Sequence, residues 1–161
     1  MKIQVREAGI ADFDRLCALF AEENRFHAQL VPAYIQVTPQ VLTREELLAF
    51  LDSQIHRLFV CADGDTLLGA IIVSLKDTAE NRWNKPYLCG YIDDLIVTST
   101  TQGRGIGRQL MHAARRWVAS QGVQIIELHV WEANTGARRF YESLGLCSVQ
   151  RRMTWELEKE V

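Results

Sequence analysis

Residues 102–108 read Gln102-Gly103-Arg104-Gly105-Ile106-Gly107-Arg108, three glycines at alternate positions between a β-rich run and a strongly amphipathic one. Downstream, Ile106, Leu110, Ala113, Ala114 and Trp117 recur at helical spacing until Gly122 supplies a C-terminal stop signal. A glycine-rich turn from a strand into a helix leaves the first helical amides unpaired and adds the positive end of the helix dipole. Glycines at that junction let an anion approach the backbone, so the turn suits a diphosphate. A P-loop is excluded because its G-x-x-x-x-G-K-[ST] spacing requires a Lys that is missing. The dinucleotide fingerprint G-x-G-x-x-G is met only by Gly103 and Gly105, since Arg108 holds the third glycine position, although Glu127 lies at a suggestive distance downstream.

The remaining pattern is mixed α/β. Lys2 to Glu7 alternate as a strand, and Asp12 opens a helical stripe of Phe13, Leu16, Leu19 and Phe20. The segment from Asn24 to Gln40 has no firm assignment. Thr43-Arg44-Glu45-Glu46 is a capping box, predicting a helix to about Gln54. Leu58–Ala62 and Thr66–Leu75 flank Asp63-Gly64-Asp65 and predict an antiparallel hairpin. A polar loop from Lys76 to Pro86 precedes a strand from Tyr87 to Val97 that carries two acids in an apolar run. Ile125 to Trp131 is a further strand, Thr135 to Leu144 a short helix closed by Gly145, and Cys147 to Leu157 an extended final segment.

At 161 residues, 48% of them apolar, the chain has the size of one domain, 1–161, able to bury a core without metals or disulfides. The formal charge of -2 gives no general nucleic-acid or anionic-membrane surface, although Arg104, Arg108, Arg115 and Arg116 gather locally. Leu67 to Val73, the longest apolar run, is far shorter than the ~20 residues a bilayer requires. No signal-like stretch opens the sequence, so the expected location is the cytoplasm. Cys17, Cys61, Cys89 and Cys147 are scattered singly, reading as reduced residues, and neither H-E-x-x-H nor G-x-S-x-G occurs. No metal is implied.

Two motifs then give the turn a specific resemblance. Gln102-x-x-Gly105-x-Gly107 matches the Q/R-x-x-G-x-G/A signature of the GNAT superfamily of N-acetyltransferases. Asn134, Ala137, Phe140, Tyr141, Leu144 and Gly145 follow that family's N-x-x-A-x-x-F-Y-x-x-L-G-F pattern, with Leu146 where Phe is usual. Asp93-Asp94-Leu95-Ile96-Val97 resembles its E-D-L-x-V strand, so the resemblance runs from about Ile92 to Leu146. It implies a mixed, mostly antiparallel sheet of six to seven strands with about four helices, split where pantetheine lies, near a bulge at Leu95 to Val97. It also implies acetyl-CoA as co-substrate, held by the backbone of Ile96 and Val97, by Gln102, Gly103, Arg104, Gly105, Ile106, Gly107 and Arg108, and by Asn134 and Tyr141. Dimerisation is common among similar proteins, and no feature of this sequence establishes it.

Moving an acetyl group from a thioester to an amine requires a neutral amine, a stabilised oxyanion and a protonated leaving thiolate. Regular alternation would set Tyr91, Asp93, Leu95 and Val97 on one face of their strand and Asp94 on the other, beneath helices. Asp93 and His129 are the candidate bases, and Asp93 is equally a candidate to hold the charge of a cationic amine. By family analogy, Tyr141 protonates the CoA thiolate, while His27 and Tyr34 lie on the acceptor side. The expected function is acetyl transfer from acetyl-CoA to a primary amine, a small cationic one first, with a peptide or protein amine, an aminoglycoside or an amino acid as the open alternatives for the acceptor. A non-catalytic acyl-CoA sensor is the alternative, and an NAD(P)-dependent oxidoreductase ranks last.

Overall fold

A computed structural model describes residues 2–78 and 82–158. The chain divides into two compact units, residues 1–129 and 130–161. The first contains β1 (Ile3–Glu7), α1 (Phe13–Leu30), α2 (Arg44–Asp52), β2 (His56–Asp63), β3 (Thr66–Asp77), β4 (Leu88–Val97), α3 (Ile106–Ser120) and β5 (Ile126–Leu128). These strands form one sheet in the order β1-β2-β3-β4-β5, antiparallel throughout except for the parallel pair β4 and β5. The second unit contains α4 (Thr135–Ser143).

Local chemistry sets the element ends. The Thr43 hydroxyl accepts from the Glu46 amide at 3.1 Å, and the Glu46 carboxylate accepts from the Thr43 amide at 2.7 Å, starting α2 as the capping box predicts. Gly64, with φ of +58°, makes the tight β2–β3 connection. Asp12 sits ahead of α1 but caps no helix. Its buried carboxylate takes Arg6 at 2.7 Å, Arg15 at 3.1 Å and the Gly9 amide at 2.9 Å, tying β1 to the start of α1. The Arg6 hydrogen bond, above all, holds that carboxyl below its ordinary range. The helix α1 also absorbs Asn24 to Leu30, within the segment the sequence left unassigned.

Helices cover both faces of the sheet. Leu16, Leu19 and Phe20 of α1 and Leu47 of α2 are buried with Leu58, Val60, Ala62, Ala70, Ile72 and Ile96. On the other face, α3 buries Ile106, Leu110, Ala114 and Val118 against β2, β3 and β4. The fit is tight at Gly90, where an added Cβ would lie 2.4 Å from a Val118 methyl.

Two expectations need correction. The described residues form five strands, not six or seven, because Cys147 to Leu157 enters no ladder and the Ile125–Trp131 run is a strand only at Ile126–Leu128. The irregularity of β4 also lies earlier than Leu95 to Val97. Ile72 is opposite Asp94 while Val73 is opposite Ile92, leaving Asp93 as the extra residue of a bulge.

Candidate active site

The bulge rearranges the acids of β4. With one residue inserted, side chains on either side of Asp93 no longer keep a common alternation. Tyr91 is opposite Ser74, Asp94 opposite Ile72 and Leu95 opposite Ile71. Ser74 and Ile72 are two apart on β3, so Tyr91 and Asp94 share the α1 face, and Leu95 turns to the α3 face. The single-face grouping of Tyr91, Asp93, Leu95 and Val97 expected from strict alternation is therefore corrected.

Asp93 is anchored by β3: it accepts from the Ser74 hydroxyl at 2.5 Å and pairs with the Lys76 ammonium at 3.1 Å. That ammonium also lies 3.3 Å from the centre of the Tyr91 ring, a cation–π contact. The Tyr91 hydroxyl in turn meets His129 Nδ1 at 2.5 Å. The two candidate bases thus belong to one connected group, Asp93 to Lys76 to Tyr91 to His129. Burial and the nearby Asp93 charge raise the Tyr91 phenol, which stays protonated. The contact with the phenol engages Nδ1 of the His129 ring and not Nε2.

Asp94 meets α1. Glu23, with a side chain only 14% exposed, hydrogen-bonds to Asp94, and its carboxylate stands 3.8 Å from His27 Nδ1. Burial, then repulsion from Asp94, pushes the Glu23 carboxyl up to about 10. Burial also raises Asp94, against the lowering effect of the Glu23 hydrogen bond and of His27. The pair therefore holds one proton at neutral pH, carried by Glu23 and donated toward Asp94. Sequence reasoning missed Glu23. The signal was its spacing, because Leu16, Phe20, Glu23 and His27 continue one helical stripe with titratable groups in apolar positions. Tyr34 lies beyond α1, about half exposed, its amide bonded to the Val31 carbonyl.

The glycine-rich turn has the predicted geometry. Thr98 and the buried Thr101 join hydroxyls at 2.7 Å, and the Thr98 amide donates to the Leu68 carbonyl at 3.0 Å, fixing the end of β4 on β3. Gly103 and Gly105 adopt φ of +79° and +78°, which side-chain-bearing residues rarely adopt, and space above both is open. The first α3 ladder bond runs from the Gln109 amide to the Gly105 carbonyl at 3.1 Å. The amides of Ile106, Gly107 and Arg108 precede it and have no carbonyl one turn back in the helix. The Ile106 side chain is core, so only its backbone faces the turn. Gln102, Arg104 and Arg108 are exposed around it. Beside the turn, β5 pairs with β4 only from Gly90 to Ile92, so among the described residues no strand lies on the outer edge of β4 at Ile96 and Val97. Together these features form an open strand edge leading into an anion-accepting turn.

In the second unit, Asn134 caps α4 through a 3.1 Å bond from the Ala137 amide to its side chain. Tyr141 lies on α4 with its ring centre 5.3 Å from that of Phe140. Among the described residues, no His, Cys, Asp and Glu cluster could hold a metal, and no helix is long and apolar enough to cross a membrane.

Similar solved structures include a mutant of the BH1408 protein from Bacillus halodurans, 24% identical with a TM-score of 0.90, covering 96% of this chain and 99% of that one. An aminoglycoside acetyltransferase, meta-AAC0020, from an uncultured soil metagenomic sample is 18% identical with a TM-score of 0.72, over 98% of this chain and 97% of that one. AAC(6')-Iy, in complex with the bisubstrate analog CoA-S-monomethyl-acetylneamine, is 15% identical with a TM-score of 0.71, over 98% of this chain and 99% of that one. No curated protein matches the chain. The model of the Acetyltransferase (GNAT) family matches residues 18–146, most of the sequence and all of the strand, turn and helix just described. The chain belongs to the GNAT family of acetyltransferases.

Proposed function

We propose that this protein moves the acetyl group of acetyl-CoA directly to a primary amine of a small cationic acceptor. The observation that carries the proposal is the continuity of β4 with the turn before α3. An unpaired strand edge at Ile96 and Val97 runs into a cluster of free amides at Ile106, Gly107 and Arg108. An amide-bearing pantetheine arm ending in a diphosphate needs those two features in series. Gly103 and Gly105 leave the approach open, and Gln102, Arg104 and Arg108 add polar and positive groups around the diphosphate.

The acceptor amine must lose its ammonium proton before it attacks the thioester carbonyl. Its nitrogen then bonds to the carbonyl carbon and gives up a second proton to solvent, the tetrahedral oxyanion collapses to the amide, and the carbon–sulfur bond breaks to release the CoA thiolate. His129 is the base of choice, because the Asp93 charge is already answered by Lys76. Asp93 then acts as a positioning residue, through Lys76 and Tyr91. The single negative charge of the Glu23–Asp94 pair, beside His27, suits the acceptor's positive charge. By family analogy, His27 and Tyr34 belong to the acceptor side. By analogy with the family, Tyr141 gives the thiolate its proton and Asn134 orders the start of α4. Two similar structures support an amine-rich acceptor, since meta-AAC0020 is an aminoglycoside acetyltransferase and AAC(6')-Iy holds a bisubstrate analog that joins CoA to acetylneamine.

Thermal stabilisation by acetyl-CoA, CoA, NADH and ATP tests the donor. Both CoA species should stabilise the protein by about 2.7 kcal/mol at a hundred times their dissociation constant, and NADH and ATP should not. A Gly105→Glu variant should lose that response, because its side chain adds bulk and a like charge where the diphosphate would lie. CoA release with a panel of primary amines then tests turnover. Selective CoA binding without release on any amine would overturn the acetyltransferase proposal.

A further inference from the structure

The Lys76 ammonium occupies a small box on β3 and β4. It lies 3.3 Å from the centre of the Tyr91 ring and 3.1 Å from Asp93 Oδ1, so an aromatic face and a carboxylate share one cation. The walls of that box are fixed independently of the lysine. Asp93 holds its other oxygen to the buried Ser74 hydroxyl, the Tyr91 hydroxyl is bonded to His129 Nδ1, and Ser74 pairs with Tyr91 through the sheet. The occupant has weaker ties. Lys76 reaches the box on a flexible four-carbon stem, and its side chain is 45% exposed. An ion pair this open to water is weak and is screened by salt, so other cations compete for it. The box therefore keeps its shape when the lysine leaves.

We propose that the Tyr91 ring and the Asp93 carboxylate form a binding site for a primary ammonium, and that Lys76 is its resident occupant, displaced when a cationic acceptor binds. The ligand class follows from the occupant: an ammonium on an unbranched carbon, with one N–H toward the carboxylate and its charge against the ring. A quaternary ammonium has no N–H to donate there. The inference rests on the cationic acceptor of the proposed function and adds a second station for positive charge, distinct from the Glu23–Asp94 pair. An ammonium held in the box keeps its proton, because carboxylate and ring both favour the charged form. It is the group by which the acceptor is held, while a different nitrogen is deprotonated and attacks. Tethering makes Lys76 a competitor: if it fills the box about nine-tenths of the time, an external amine binds about tenfold more weakly than the empty box allows.

Nuclear magnetic resonance on the full chain, labelled at the lysine ε-carbons, tests displacement in the unmodified protein, with n-propylammonium as the probe and tetramethylammonium at equal ionic strength as the control. The Lys76 ε-methylene, assigned by its nuclear Overhauser contacts to the Tyr91 ring, should resonate upfield in the ring current. The probe should return it to the position of a free lysine, and the control should not. Lys76→Ala should bind n-propylammonium about tenfold more tightly than wild type, read by thermal stabilisation, and Lys76→Ala/Asp93→Asn should lose that binding. With a cationic acceptor, Lys76→Ala should lower KM about tenfold. The proposal is overturned if the Lys76 ε-methylene is not upfield or stays upfield throughout the titration, if wild type and Lys76→Ala bind the probe alike, or if KM rises. The binding readouts use no acetyl-CoA, so a box that exchanges its occupant in a protein that acetylates no amine refutes the acetyltransferase reading alone. Amine acetylation with Lys76 undisplaced refutes the box alone.

Discussion

Replacing Glu23 by Gln should stabilise this protein, and by more as the pH rises. In the folded chain, burial and the neighbouring Asp94 carry the Glu23 carboxyl up to about 10, from an ordinary value of 4.5. Between those limits the unfolded chain has released a proton that the folded chain retains. Stability from this group is therefore complete below the unfolded value and declines as pH rises toward the folded one. The slope is about 1.4 kcal/mol per pH unit, so the loss accumulated by about pH 7.5 is ~4 kcal/mol. Asp94 shares the titration, and about half that figure, ~2 kcal/mol, is the working magnitude. Gln has the shape of a protonated Glu and an N–H that can donate to Asp94, but it has no proton to lose.

Thermal melts of wild type and Glu23→Gln at about pH 5, 6.5 and 8 measure the effect. The variant should melt about 4–8 °C higher near neutral pH, converging on wild type near pH 5. If the two pH profiles run parallel, or if the variant is less stable at the alkaline end, Glu23 is ionised in the folded protein and the shared-proton argument fails.

Three further outcomes are expected. Asp94→Asn removes the charge of the pair and should raise KM for cationic amines by about tenfold or more with little change for acetyl-CoA, whereas Glu23→Gln should change neither; equal losses for both variants would count against the assignment. His129→Gln should lower kcat about 10²- to 10⁴-fold, and a loss below about tenfold would assign the proton transfer elsewhere. Gly90→Ala should destabilise by about 1–3 kcal/mol through collision with Val118, read as a lower Tm, and a second change, Val118→Ala, should recover part of it. A Gly90→Ala protein that melts like wild type would mean α3 rides higher on the sheet than the 2.4 Å approach implies.

What the sequence disclosed, and what it hid, divides by the range of the interaction involved. The capping box at Thr43 and Glu46, the turn at Gly64 and the left-handed glycines before α3 each depend on a few adjacent residues, and all appear where local chemistry requires them. The bulge at Asp93 depends on which residue of β3 faces it, through Ser74 and Lys76 some twenty positions away, and no pattern within β4 encodes that pairing. Because the bulge displaces the alternation, it also decides which acid meets α1, so the Glu23–Asp94 pair could not be placed from β4 alone. Helix periodicity did carry half of that information, by setting Glu23 in the stripe of Leu16 and Phe20. The final segment shows the same division in reverse. Its alternation predicts a strand, but a strand forms only against an edge, and residues 147–157 enter no ladder. A period of two specifies a face to be buried and leaves the burying surface unspecified, which is why alternation alone could not count the strands of the sheet.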